Sequence, residues 1–265
     1  MSAQGVRDAV LNLHYLPETI TAHVGDGSDL GIRVRYSFEQ VILGSAGGPR
    51  KALSLLPDDD FFIINGDTLT NVDLHALSEH HRQSGALVTI AVVPNEWPER
   101  YSGIIVDATG RFHSVVPRGS PVRSYHVVGV QIAHPSAFAA LPLDEPAESV
   151  GGIYRSLVSQ NLGAVRAFLC TADFWDVGTA ADYLGTSRSI GAREGRPLPH
   201  IGSTSIIDPT ASVSGSIVWE HVEVGPGATV DGCVVGDTVK IPAGVRFQNC
   251  AIIQREGELV VKEIG

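Results

Sequence analysis

Lysine is nearly absent from this 265-residue chain: Lys51, Lys240 and Lys262 are the only three, and residues 1–239 hold just one. Arginine does not make up the difference. Lys+Arg total 19 against 29 Asp+Glu, a formal charge of −10. That sign excludes a sequence-independent grip on nucleic acid or on an anionic membrane surface. Cysteine is scarce too. Cys170, Cys233 and Cys250 are an odd set without metal-ligand spacing, so we expect no disulfide framework and a reducing, cytoplasmic setting. No apolar run approaches the roughly 18 residues that span a bilayer. Arg7 and Asp8 interrupt the first apolar stretch, where a signal peptide would need it unbroken. Hydrophobic residues at 43% and charged residues at 18% describe a globular chain and not a disordered one.

What the chain has in excess is turn formers. Gly 29 plus Pro 15 makes 44 of 265 residues, above the roughly 12% average, so the chain must reverse often. Residues 9–16 are apolar and β-compatible, and Pro17 to His23 reads as a helix. Residues 31–37 alternate apolar and charged, as a half-exposed strand does. A small-residue loop, Leu43–Gly48, precedes a helix expected to start at Pro49 and to carry Arg50 and Lys51 in a solvated first turn. Residues 61–65 and 86–93 are fully apolar runs of strand length, and between them Asp73 is placed to cap a helix through Gln83. This alternation predicts an α/β sheet with buried parallel strands. Short strands follow at 104–106, 112–116 and 125–132, then a helix over 148–162, a strand at 164–169 and a helix over 182–191.

The last stretch is a repeat. Ile207, Val224 and Ile241 are 17 apart, as are Val213, Val230 and Phe247, and Ile217, Val234 and Ala251. Three in-phase apolar columns at one short period predict a β-helix. The boundaries read as an α/β domain over 1–192, a linker over 193–200 (REGRPLPH) and a β-helix with its tail over 201–265. Cys233 and Cys250 fall in the column of Ser216, a ladder of small residues.

Three motifs could carry chemistry. Asn65-Gly66-Asp67 ends an apolar strand, where ligands of open α/β sheets bind; the alternative is an Asp that caps the next turn. Phe174-Trp175-Asp176-Val177-Gly178-Thr179 holds a second Asp between an aromatic and a turn, with a cap for the following helix as its alternative. Two carboxylates about 4 Å apart repel by roughly 4 kcal/mol at an effective dielectric near 20, and a divalent cation between them reverses the sign. The third motif is Gly44-Ser45-Ala46-Gly47-Gly48, whose glycines let a flat ligand or a phosphate approach the backbone and whose N–H groups could point outward. His80 and His81 are helix neighbours pointing about 100° apart, poor joint ligands. His221 is the only histidine of the repeat; it offers a weak case for acyl transfer on the β-helix and a better one for a turn residue.

In order and spacing these segments resemble the sugar-1-phosphate nucleotidyltransferase family, in its mannose-1-phosphate guanylyltransferase-like branch. The resembling residues are NLHYLPETI (12–20), RVRYSFE (33–39), LGSAGG (43–48), FFIINGD (61–67), GVQI (129–132) and FWDVGT (174–179). The resemblance implies a Rossmann-like nucleotidyltransferase sheet followed by a short left-handed β-helix of hexapeptide-type repeats. It implies a reaction in which a sugar-1-phosphate oxygen attacks the α-phosphorus of an NTP, GTP being favoured, to give an NDP-sugar and pyrophosphate. Asp67 and Asp176 would act catalytically as ligands of Mg²⁺. Leu43, Gly44, Ser45, Ala46, Gly47, Asn65, Gly66 and the nearby Glu39 would serve the nucleotide, and Gly103 and Glu148 the sugar.

The resemblance breaks at the start. The family's first strand, its G-x-G-T-R loop and its Pro-Lys are not in this sequence, and Val115-Val116-Pro117-Arg118 stands where the family has Glu-Lys-Pro. With Lys51 alone in the α/β region, Arg50 or Arg118 would have to supply positive charge. The expectation is a start codon upstream of Met1. The alternative is a non-catalytic nucleotide-sugar sensor or regulatory subunit that lacks the triphosphate loop. Either way the short β-helix predicts a homo-oligomer or association with a full-length relative.

Overall fold

The computed structural model describes residues 2–264, apart from the Ser2 side chain, as two compact units. The first comprises residues 1–66 and 70–174, the second 67–69 and 175–265.

The first unit is built on a sheet of mixed direction. In chain order the strands up to residue 176 are β1 (Asp8–Leu13), β2 (Arg33–Phe38), β3 (Phe61–Ile64), β4 (Thr68–Thr70), β5 (Val88–Pro94), β6 (Gly103–Val106), β7 (Phe112–Val116), β8 (Tyr125–Ala133), β9 (Val165–Leu169) and β10 (Phe174–Asp176), β4 and β10 lying mostly in the second unit. The main sheet runs β7-β6-β8-β5-β9, with β3 also on β8. Only β5–β9 is parallel in it; β3, β5 and β6 all run antiparallel to β8. This corrects the expected all-parallel sheet. Burial on both faces makes a strand read as a continuous apolar run whichever way its neighbour runs, so the pattern carries burial and not direction. β1 and β2 pair in parallel as a separate ribbon, and β4 and β10 form another.

Helices cover both faces, as in an α/β layer fold. In the first unit α1 spans Pro17–Val24, α2 Gly44–Ala52, α3 Leu74–Ser84, α4 Ser136–Ala139 and α5 Tyr154–Gln160; α6, Ala180–Arg193, belongs to the second unit. Val88, Ile90 and Val92 point to one face and join Phe61, Phe138 and Tyr154; Ala91, Val128 and Val130 point to the other and meet Leu74 and Leu77 of α3. α3 begins where expected, with the Asp73 carboxylate accepting the Ala76 N–H at 3.0 Å. His81 faces inward and is 3% exposed, while His80 lies against the Phe168 ring, so the two histidines diverge.

α2 departs from the reading of its sequence. It starts at Gly44, and Pro49 sits inside it. The stretch 43–48 is therefore the head of the helix and not a loop before it. Arg50 and Lys51 lie in its last turn, where cations suit the helix dipole. They are tied down: Arg50 Nε donates to the Leu141 carbonyl at 2.7 Å, and Lys51 Nζ meets Asp144 at 2.7 Å. The expected helix over 148–162 resolves into a π-helical turn, Ser149–Ile153, and α5.

The second unit carries α6 and the coils. Three parallel ladders repeat at 17 residues, with registers such as Ile217↔Val234, Val224↔Ile241 and Val230↔Phe247. Val218, Val222, Val230, Val235 and Ile252 fill the interior. Ser216, Cys233 and Cys250 are buried in one column, the cysteines as free thiols. Leu184 of α6 packs with Ile217 and Val234 on the outer face of one ladder. His221 is an exposed turn residue at φ 57°.

Candidate active site

In the first unit the site grows from Glu39, at the end of β2. Its carboxylate is 7% exposed. One oxygen accepts the Leu43 N–H at 2.9 Å and the other the Asn12 amide at 2.8 Å. Both oxygens are thus engaged by the chain itself, and Glu39 fixes the head of α2 from below. Gly48 is shaped by the same pair: a Cβ there would lie 3.0 Å from Glu39 Oε1 and 3.1 Å from Asn12 Nδ2.

Segment 145–149 closes over that helix head. The Ala147 carbonyl accepts the N–H groups of Ala46 (2.9 Å) and Gly47 (3.3 Å), and Ala147 N–H donates to Leu43 at 2.8 Å. Ser45 Oγ donates to Glu148 Oε2 at 2.9 Å and accepts the Ser149 N–H at 2.8 Å. The glycines here make room for backbone. A Cβ on Gly44 would stand 2.8 Å from the Ala147 oxygen, and one on Gly47 2.7 Å from the Glu145 oxygen. Two of the N–H groups expected to point outward are therefore already bonded, and among the described residues no acceptor outside the helix meets those of Gly44 and Ser45. Glu148 and Ser45 are both exposed.

Gly103 has a packing reason of the same kind. It is buried, and a Cβ would overlap Ser124 Oγ at 2.3 Å. Gly66 differs from all of these. Nothing lies within 4 Å of a Cβ built there, so neither packing nor backbone conformation explains this glycine. Asn65 beside it is exposed and anchored by its N–H on the Gly129 carbonyl at 2.8 Å.

The two aspartates share the second unit. The Val177 N–H donates to the Asp67 carbonyl at 2.9 Å, which sets the residue after Asp176 against Asp67. Asp67 is exposed, and its carboxylate makes one long contact, 3.5 Å from Thr68 Oγ1. It caps nothing. Asp176 is half-buried, accepts the Gly178 N–H at 3.2 Å through its side chain and the Thr186 hydroxyl at 3.2 Å through its carbonyl. It does not cap α6 either, since Thr179 does so by accepting the Asp182 N–H at 3.1 Å. The Asp176 side chain does brace the turn before α6 through the Gly178 N–H. Among the described residues no group of three or more His, Cys, Asp or Glu could hold a metal; Asp67 and Asp176 would supply only two carboxylates, an all-oxygen set. Such a set suits a hard cation that takes its remaining ligands from phosphates and water.

Two features were not foreseen. Glu39 as an internal brace was hidden because its partners lie 27 and 4 residues away along the chain. A cleft of about 510 Å³ in the first unit, lined by His80, Asp107, Thr109, Tyr125 and Phe168 among others, holds none of the expected site residues.

Residues 1–193 match the nucleotidyl transferase family. Among curated relatives, a UTP–glucose-1-phosphate uridylyltransferase of Synechocystis sp. is 27% identical over 84% of this chain and 61% of its own. A mannose-1-phosphate guanylyltransferase of Mycobacterium tuberculosis is 26% identical over 85% of this chain and 66% of its own. A D-glycero-α-D-manno-heptose 1-phosphate guanylyltransferase of Aneurinibacillus thermoaerophilus is 30% identical over 69% of this chain and 78% of its own. The chain thus spans under two thirds of the first two. Of solved structures, HddC from Yersinia pseudotuberculosis complexed with GMP-PN superposes with a TM-score of 0.61 at 23% identity, covering 71% of this chain and 81% of that one.

Proposed function

The chain belongs to the nucleotidyl transferase family, and we propose that the protein joins GTP to mannose-1-phosphate, or to a close sugar-1-phosphate, releasing pyrophosphate. The observation that carries this reading is Asp67: an exposed carboxylate without a structural task, held against the Asp176 strand by the Val177–Asp67 hydrogen bond. The guanylyltransferases among the relatives support GTP, and the uridylyltransferase makes UTP with glucose-1-phosphate the pair to beat.

In this reading a sugar phosphate oxygen forms a bond to the α-phosphorus as the bond to pyrophosphate breaks. The protein has to position both substrates and offset their charge, with no covalent step of its own. Asp67 and Asp176 would hold Mg²⁺, which when bound neutralises phosphate charge. The N–H groups of Gly44 and Ser45 donate at the head of α2, braced by Glu39. Ser45 links that head to Glu148, so the nucleotide and sugar sides move together. Gly66 leaves open space in front of Asn65 for a substrate to come close. Among the described residues no helix is long and apolar enough to cross a membrane.

The test is a matrix of GTP, UTP, ATP and dTTP against mannose-1-phosphate and glucose-1-phosphate, read as pyrophosphate release by the native protein. GTP with mannose-1-phosphate should give the highest kcat/KM. A higher value for UTP with glucose-1-phosphate would overturn the substrate assignment and leave the reaction class intact.

A further inference from the structure

The second unit ends in a hairpin whose outer strand has an open edge. Strand 250–255 pairs antiparallel with strand 258–263, and the latter is last in its five-stranded sheet. Natural edges are usually blunted by proline, bulges or charged side chains, lysine above all, and this edge has only the charges, Glu258, Lys262 and Glu263. This one, Glu-Leu-Val-Val-Lys-Glu, has no proline or glycine and a regular register throughout. Val260 and Val261 are 44% and 42% exposed. Val260 stands opposite Ile253, itself 39% exposed, on the outer face. Val261 lies on the same face as Leu259, which packs on the β-helix interior, and opposite the buried Ile252, yet stays 42% exposed.

The hydrogen-bond phase of the free edge is fixed. The Ile264 N–H donates to the Asn249 carbonyl at 2.8 Å, so residues 258, 260, 262 and 264 direct their backbone groups toward strand 250–255. Residues 259, 261 and 263 direct theirs outward, because consecutive residues of a strand alternate. A second copy pairing antiparallel about a two-fold axis must bond outward residues to outward residues. That allows only registers whose paired residue numbers sum to an even value. Of these, the register centred on Val260 sets Glu258 opposite Lys262 of the copy, twice by symmetry, and sets Leu259 opposite Val261.

We propose that this edge is a self-association surface, closed by the same strand of a second copy in that register. The occupant follows from the edge itself: its charges are complementary to their own two-fold image, and the pairing covers Val261 with a leucine that already belongs to the core. The interface is isologous, as in most closed homodimers. A single strand pairing buries less than the roughly 1,200 Å² of a tight complex, so the dimer is concentration-dependent. The proposal does not depend on the catalytic reading.

The test is sedimentation equilibrium of the 265-residue chain across the micromolar range, with charge and cysteine variants of these exposed residues. Glu258→Lys places lysine opposite lysine and Lys262→Glu places glutamate opposite glutamate. Each should weaken the dimer by about tenfold, and the double swap E258K/K262E should restore it. Val260 meets its own copy at a non-hydrogen-bonded position, where Cα atoms lie about 4.5 Å apart, within disulfide reach. V260C should therefore give a covalent dimer on mild oxidation, and V261C, which meets Leu259, should not. A monomer at every concentration, a dimer indifferent to both charge reversals, or cross-linking through V261C in place of V260C would overturn the proposal.

Discussion

Asp67 can be tested without disturbing the fold, because its side chain caps nothing, whereas the Asp176 carboxylate also braces the turn at Gly178. Asp67→Asn and Asp176→Asn should each lower kcat/KM by about 10²–10³, the scale of losing a charge-stabilising group. The melting temperature of Asp67→Asn should stay within a degree or two of the parent's, and a large drop would make Asp67 structural. Gly66→Ala separates ligand approach from packing: its Cβ meets open space, so the melting temperature should hold while KM for nucleotide rises. Glu39→Gln should do the opposite and cost about 1–3 kcal/mol of stability, since one of two buried donors loses its acceptor; denaturant unfolding reads this directly. His81 gives a pH signature. Burial holds its pKa below the ordinary value, opposed by the nearby Asp60 carboxylate, and His80 is shifted the same way by burial and Arg166. The folded state thus prefers neutral rings. The stability is full above the unfolded value of about 6.5 and is lost as pH falls through the lowered folded value. His81→Gln, able to keep a bond to Thr89, should flatten that acid-side decline in a pH series of melts. At this scale the sequence made Asp67 and Asp176 legible, because an Asp after an apolar strand or an aromatic has few structural reasons to be there. Gly44, Gly47 and Gly103 were not legible, since the atoms that require them, on Glu145, Ala147 and Ser124, are distant along the chain.

At the scale of elements, the helix start that announced itself did so through local chemistry. Asp73 caps α3 as expected; α6 is capped by Thr179, which the sequence did not single out, and Thr179→Ala should cost about 1 kcal/mol by chemical denaturation. Leu77, fully buried between α3 and the sheet, should cost about 2–5 kcal/mol as Leu77→Ala. α2 hid its start because glycines are poor helix formers, and the turn they form is held by Ala147 and Glu39 and not by propensity. The direction of the strands was equally hidden: β8 is apolar on both faces and would read the same beside parallel neighbours. The 17-residue coils were the most legible element, since each column repeats an apolar side chain, inward in two columns and toward α6 in the third, and the ladders keep that register.

At the scale of the molecule, two units each have their own core. The resemblance seen in six short segments extends to a family match over residues 1–193. Its catalytic content rests on the two aspartates. The most direct measurement is pyrophosphate release by the native protein with GTP, mannose-1-phosphate and Mg²⁺, repeated with EDTA and with Asp67→Asn. Release should be metal-dependent, stoichiometric with GDP-mannose and reduced at least a hundredfold in the variant, in keeping with the loss of a group that acts on the transition state. Metal-independent release, undiminished activity in Asp67→Asn, or no release with any nucleotide and sugar phosphate pair would contradict the account.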